Sequence, residues 1–89
     1  MEDKNLLLQN IDNLHTTEMG GDRIRKNLGL DSTDRDGAVE FCRKIILDKN
    51  CRIYRNGKNW FCEGCGVKIT VNSRSLTIIT AHKIRRTEK

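Results

Sequence analysis

An α+β fold, with about three N-terminal helices packed on a four-stranded antiparallel β-meander, is what this 89-residue chain predicts. Three observations point there. Apolar residues recur at helical spacing through the first half, and they alternate with polar ones through the second. Gly, Asn and Asp punctuate the segments of a chain that has no proline, so they must make its turns. A chain this short makes one domain, residues 1–89, with a small core.

The first helix is expected over residues 3–13, where Leu6, Leu7, Asn10, Ile11 and Leu14 fall near helical spacing. Thr16 or Thr17 suits an N-cap, because its hydroxyl can accept from an orphan backbone N–H. A second helix begins near Glu18 and carries Met19, Ile24 and Leu28 on one side. Gly20 and Gly21 weaken its first turn, and Gly29 is placed to end it in a left-handed conformation. Ser32 or Thr33 starts a third helix with the stripe Ala38, Val39, Cys42, Ile45 and Ile46, closed by Asp48-Lys49-Asn50. The strands follow. Arg52–Arg55 is the first, Asn56-Gly57 signals a type I′ hairpin, and Lys58–Cys62 returns. Glu63-Gly64-Cys65-Gly66 turns again, and Val67, Ile69 and Val71 alternate with Lys68, Thr70 and Asn72. After the turn Asn72–Ser75, Leu76–His82 is the last strand. Its Ile78-Ile79 pair suggests burial on both sides and a central position.

Composition narrows the class. The chain is 36% hydrophobic and 33% charged, too apolar for simple disorder. Leu6-Leu7-Leu8 is too short to cross a membrane and no signal peptide precedes it, so a cytoplasmic protein with no membrane partner is expected. The net charge of +5 favours polyanionic partners. Acid exceeds base through residue 40, whereas base far exceeds acid from Cys42 on, which makes the C-terminal half the anion-facing side.

Two clusters carry the functional reading. His15, Thr16 and Thr17 precede Arg23, Arg25, Lys26 and Asn27; Thr77, Thr80, His82 and Lys83 run into Arg85 and Arg86. The chain's two histidines fall one in each. RNA cleavage without a metal needs a base for the 2′-hydroxyl, an acid for the departing 5′-oxygen and cations for the charged phosphorane. Histidine suits the first two roles and Arg or Lys the third. If the clusters meet, His15 and His82 are acid and base, in either order, Thr80 positions the phosphate, and Arg23, Lys26, Asn27 and Lys83 bind it. The bland alternatives are a helix-capping His15, an edge-strand His82 and a solvated face for Arg23, Arg25 and Lys26. Thr80 and His82 share a strand face, with Lys83 on the other.

Cys62-x-x-Cys65 in a hairpin turn suits a zinc knuckle, with Cys51 and Cys42 as further ligands. The spacing matches no standard signature, and Cys42 fits a core stripe, so no cofactor is favoured and structural zinc is the alternative. Met19 and Trp60 read as core residues, with Trp60 and Phe61 on opposite faces.

Leu14–Gly20, Arg23–Leu28, Gly57–Trp60, Ile69–Asn72 and Thr77–Lys83 together resemble a family of small bacterial and phage-borne proteins known as a domain of unknown function. That resemblance spans nearly the whole chain and implies no activity. The Cys62/Cys65 pair stands outside its pattern. The architecture is also similar, at the level of fold, to the barnase, EndoU, colicin and RelE-like ribonucleases and toxins. That likeness implies metal-independent cleavage of tRNA or mRNA, with Thr80 and His82 on the last strand and His15 and Arg23 from the helices. No glutamate base is evident in the sheet, and Tyr54, Trp60 and Phe61 are the few aromatics available to stack on bases. The expectation is an RNA-binding, possible toxin-like ribonuclease. Its rivals are a non-catalytic nucleotide- or phosphate-ligand binder of the anti-defence kind and a zinc-stabilised interaction module. A homodimer or a protein partner is compatible with each.

Overall fold

Helices precede strands in the computed structural model, which describes residues 3–30 and 32–84. The elements are α1 (Asp3–Gln9), α2 (Glu18–Leu28), α3 (Arg35–Leu47), β1 (Arg52–Asn56), β2 (Asn59–Gly64), β3 (Val67–Asn72) and β4 (Ile78–Lys83). The sheet is antiparallel in the order β1-β2-β3-β4. The α+β expectation holds; several details differ.

The first helix is shorter than its periodicity implied. Asn10 ends it by folding its amide back onto the Leu6 carbonyl at 2.8 Å, and Ile11–Asn13 continue as one 3₁₀ turn. Thr17 caps α2 by accepting from Gly20 N at 3.0 Å. Thr16 turns inward instead, and its hydroxyl donates to the Ile78 carbonyl at 2.8 Å. Gly29, at φ 70°, closes α2 in the left-handed region. Asp34, not Ser32 or Thr33, caps α3 through Gly37 N. Met19 is 68% exposed, so the inward side of α2 is Gly20, Gly21, Ile24 and Leu28.

The first hairpin turns one residue later than expected, and the second is tighter. Asn56 pairs with Asn59, leaving Gly57-Lys58 as a two-residue loop with positive φ at Gly57, the type II′ arrangement rather than type I′. Gly64 pairs with Val67, and Cys65 (φ 54°) with Gly66 (φ 74°) makes the type I′ turn. This moves Glu63 out of the turn and onto β2. The third turn is organised by Asn72, whose Oδ1 accepts from Arg74 N and Ser75 N, both at 3.0 Å.

β4 lies at an edge, not in the centre. Its register with β3 shifts where Val71 pairs with Ile78 and Thr70 with Thr80, which leaves Ile79 as a bulged residue without a partner. The Ile78-Ile79 pair therefore marks a bulge and not burial on both sides; Ile78 is fully buried and Ile79 is 38% exposed. Beyond the bulge, Ala81 faces inward while Thr80 and His82 face outward.

All three helices lie on one face of the sheet. Leu7, Ile24, Leu28, Ala38, Val39, Cys42, Ile45 and Ile46 meet Trp60, Cys62, Val67, Ile69, Val71, Ile78 and Ala81 in one apolar core. Among the described residues the opposite face carries no helix. No helix among them is long and apolar enough to cross a membrane.

Candidate functional site

The strand register arranges the helix-free face in cross-strand rows. One row is Tyr54, Phe61, Thr70 and Thr80; the next is Arg52, Glu63, Lys68 and His82. Tyr54 and Phe61 stack with ring centroids 5.6 Å apart and planes 25° from parallel. The Arg52 guanidinium sits 5.2 Å from the Tyr54 centroid and the Lys68 ammonium 5.0 Å from that of Phe61, close enough for cation–π attraction. The Tyr54 hydroxyl donates to Glu63 Oε2 at 2.7 Å. That bond, with lesser help from partial desolvation, raises the phenol above its ordinary pKa.

At the end of this face, near the β2–β3 turn, is an open hollow of about 790 Å³. Glu63, Lys68 and His82 line it from the sheet, Asn27 reaches it from α2, and Lys83 and Ile84 complete it. Asn27 is fixed there because its amide donates to the Ala81 carbonyl at 3.2 Å. Three residues singled out from sequence, Asn27, His82 and Lys83, are thus brought together. Thr80 is two residues before His82 on the same outward face.

The other expected partners are not. His15 is held by backbone pairing beside Thr77, and its Nε2 lies 3.0 Å from the Thr77 hydroxyl. Its Nδ1 faces the Asn13 carbonyl at 2.9 Å, so in the neutral ring Nδ1 carries the proton and Thr77 donates to Nε2. Thr77 and His82 are five residues apart on an extended strand, about 16 Å at 3.3 Å per residue. The two imidazoles therefore sit at opposite ends of β4, and His15 lines a different hollow with Arg35, Asp36, Glu40 and Arg43. The expected His15/His82 pair is not assembled, because the segment after α1 docks on the β4 edge at the strand's beginning. Arg25 is engaged elsewhere, paired with Asp22 and donating to the Thr33 carbonyl at 3.1 Å. Arg23 and Lys26 are exposed on α2 outside the lining of the hollow. Arg85 and Arg86 lie outside the described residues.

The four-cysteine zinc set is not assembled either. Cys62 points into the core while Cys65 is exposed on the turn, and Cys42 is fully buried on α3. Among the described residues no group of three or more His, Cys, Asp or Glu side chains is gathered closely enough to hold a metal ion.

Sequence reasoning missed Glu63, Lys68 and the Tyr54/Phe61 pair as one surface. The signal was present. Phe61 and Glu63 are two apart, so once β2 extends through Gly64 they must share a face.

A two-layer α+β protein with an open, cation-flanked aromatic face is what these observations define. The chain matches the family described as "Protein of unknown function (DUF3781)" over residues 8–82, and it belongs to that family. No curated protein and no solved structure matches it. The likeness to small ribonucleases and toxins has no counterpart in these comparisons.

Proposed function

We propose that this protein binds single-stranded RNA across its helix-free sheet face and cleaves it at the hollow beside His82. One observation carries the reading: Glu63, Lys68 and His82 form a single cross-strand row that ends in that hollow, next to the stacked Tyr54 and Phe61. Aromatic rings on an open sheet face offer stacking surfaces to unpaired bases of any sequence. Arg52, Lys68 and Lys83 supply positive charge for the backbone, and Asn27 supplies a fixed amide.

The chemistry needs a base and an acid on either side of one phosphate. Glu63 and His82 are two strands apart, about 10 Å between their Cα atoms at 4.8 Å per interstrand step, with Lys68 between them. A phosphodiester fits that span with each reacting oxygen in hydrogen-bond reach. The Glu63 carboxylate takes the 2′-hydroxyl proton as O2′ attacks phosphorus. The 5′-oxygen leaves and takes a proton from the His82 imidazolium. The products are a 2′,3′-cyclic phosphate and a 5′-hydroxyl, and Lys68 offsets the charge that builds on the phosphorane oxygens. In this reading His82 is the acid, and Glu63 takes the place of His15 as its counterpart.

The test uses a fluorescent single-stranded RNA in EDTA, together with the same strand bearing 2′-deoxyribose throughout. The RNA should be cut to cyclic-phosphate ends and the DNA should stay intact. His82→Ala should abolish cutting while leaving RNA affinity within about twofold, and Phe61→Ala should weaken affinity. RNA bound but left uncut by the wild type would reduce the function to holding. Unmeasurable affinity for RNA would reject the reading altogether.

A further inference from the structure

Two of the four cysteines, Cys51 and Cys62, are arranged for another chemistry. Arg52 pairs with Glu63, so Cys51, one residue earlier, stands opposite Gly64 on the inner side of the sheet, and Cys62 lies diagonally beside it. Gly64 is what lets Cys51 in. A Cβ there would lie 3.3 Å from both Cα and Cβ of Cys51 and from Ile45 Cγ2 of α3, tighter than ordinary packing allows. The register thus puts both thiols on the inner side of the sheet, on adjacent strands.

Their environments differ. Cys62 is wholly inaccessible, whereas Cys51 is half-buried at the margin of the core and reachable from outside. Interaction with Cys62 holds Cys51 below the usual thiol range, although burial and the Asp48 and Glu63 charges push the other way. The same interaction, reinforced by burial, pushes Cys62 well above that range. One sulfur is therefore the accessible nucleophile and the other a protonated neighbour on the adjacent strand. Cys65 takes no part, exposed on the far side of the type I′ turn.

We infer that Cys51 is a peroxide-reactive thiol with Cys62 as its resolving partner, so that oxidation closes a Cys51–Cys62 cross-strand disulfide. In the first step the Cys51 thiolate attacks one oxygen of a hydroperoxide and the O–O bond breaks. Cys51 becomes a sulfenic acid, and the other oxygen leaves as an alcohol or water after taking a proton from solvent. In the second, the Cys62 sulfur attacks the Cys51 sulfur, and the sulfenic hydroxyl leaves as water with the Cys62 proton. Two thiols and one hydroperoxide give one disulfide, one alcohol or water, and one further water. Sulfur is oxidised by two electrons and the peroxide is reduced by two. This site stands independently of the RNA reading.

The experiment treats the full reduced chain, carrying Cys65→Ser to remove the exposed thiol, with one equivalent of hydrogen peroxide and maps tryptic peptides without reduction. Arg52, Arg55 and Lys58 separate the two cysteines, so the link appears as a joined peptide pair lighter by two hydrogens. Expected is that pair as the main product, reversed by dithiothreitol and absent after adding Cys51→Ser. A thermal melt of the reduced Cys51→Ser protein shows whether it still folds. The inference is overturned if wild-type Cys51 stays unmodified at peroxide excess. It is equally overturned if Cys51 runs on to sulfinic acid while Cys62 remains a free thiol, or if the link joins two chains.

Discussion

Adjacent glycines in the first turn of α2 should respond to the same substitution with opposite signs. At Gly20 an added methyl would overlap the Thr16 hydroxyl and approach the Ile78 carbonyl at 3.3 Å. The hydroxyl cannot move freely, because it is buried and bonded to that carbonyl at 2.8 Å. Gly20→Ala must therefore break the bond or push the helix off β4. Leaving a buried acceptor unpaired costs about 1–3 kcal/mol, against a helix-propensity gain of about 1 kcal/mol. The net loss is up to about 2 kcal/mol, a fall in Tm of up to roughly 15 °C for a chain of this size. At Gly21 the methyl would meet Arg35 Cγ at 3.0 Å, on an exposed, flexible side chain that can shift. Gly21→Ala should keep most of the propensity gain and raise Tm by up to about 5 °C. Thermal unfolding followed by circular dichroism measures both. Thr16→Ala added to Gly20→Ala should cost little more, since the two act on one contact. Equal shifts at the two glycines, or a Gly20→Ala protein as stable as wild type, would refute the close-approach argument.

Phe61→Ala should weaken RNA binding by about 1–3 kcal/mol, roughly five- to 150-fold, with little change in the melting curve, as read by fluorescence anisotropy. Arg52→Gln should flatten the log–log salt dependence of that affinity by about 0.7 if Arg52 meets one phosphate of a single strand. Tyr54 should ionise at higher pH than free tyrosine, and Glu63→Gln should bring it back down, as followed by ultraviolet absorbance. Its folded pKa is raised, so the stability this pair adds is fully present below about pH 10 and is lost as pH climbs through the folded value. Cys42, pushed up to about 12 by burial, should resist iodoacetamide in the native protein and react once the chain is unfolded.

The elements were readable where local patterns decide them. The α3 stripe Ala38, Val39, Cys42, Ile45 and Ile46 is buried residue for residue, and Trp60 and Phe61 do fall on opposite faces. What stayed hidden depends on register. A one-residue loop choice, Gly57-Lys58 instead of Asn56-Gly57, fixes which residues of β1 and β2 stand opposite each other. The bulge at Ile79 breaks the alternation of β4, which is why two consecutive isoleucines do not mean burial on both sides. Glu63 was read as a turn residue because Gly64, Cys65 and Gly66 follow it, yet only Cys65 and Gly66 turn. The site was legible in part: Asn27, His82 and Lys83 meet because α2 lies along β4. The distance between the histidines was not legible, since nothing local says at which end of β4 the segment around His15 docks.

That docking has a consequence for how the molecule comes together. The final strand is held along its length by residues more than fifty positions earlier: the backbone of His15, the hydroxyl of Thr16 and the amide of Asn27. Its outer border is thereby closed over its first residues to any other chain seeking a strand to pair with. Such distant closures carry a heavy entropic cost before they return any contact energy. The hairpins of β1, β2, β3 and β4 can zip up locally, whereas the outer border of β4 is completed only when the amino-terminal half docks on it.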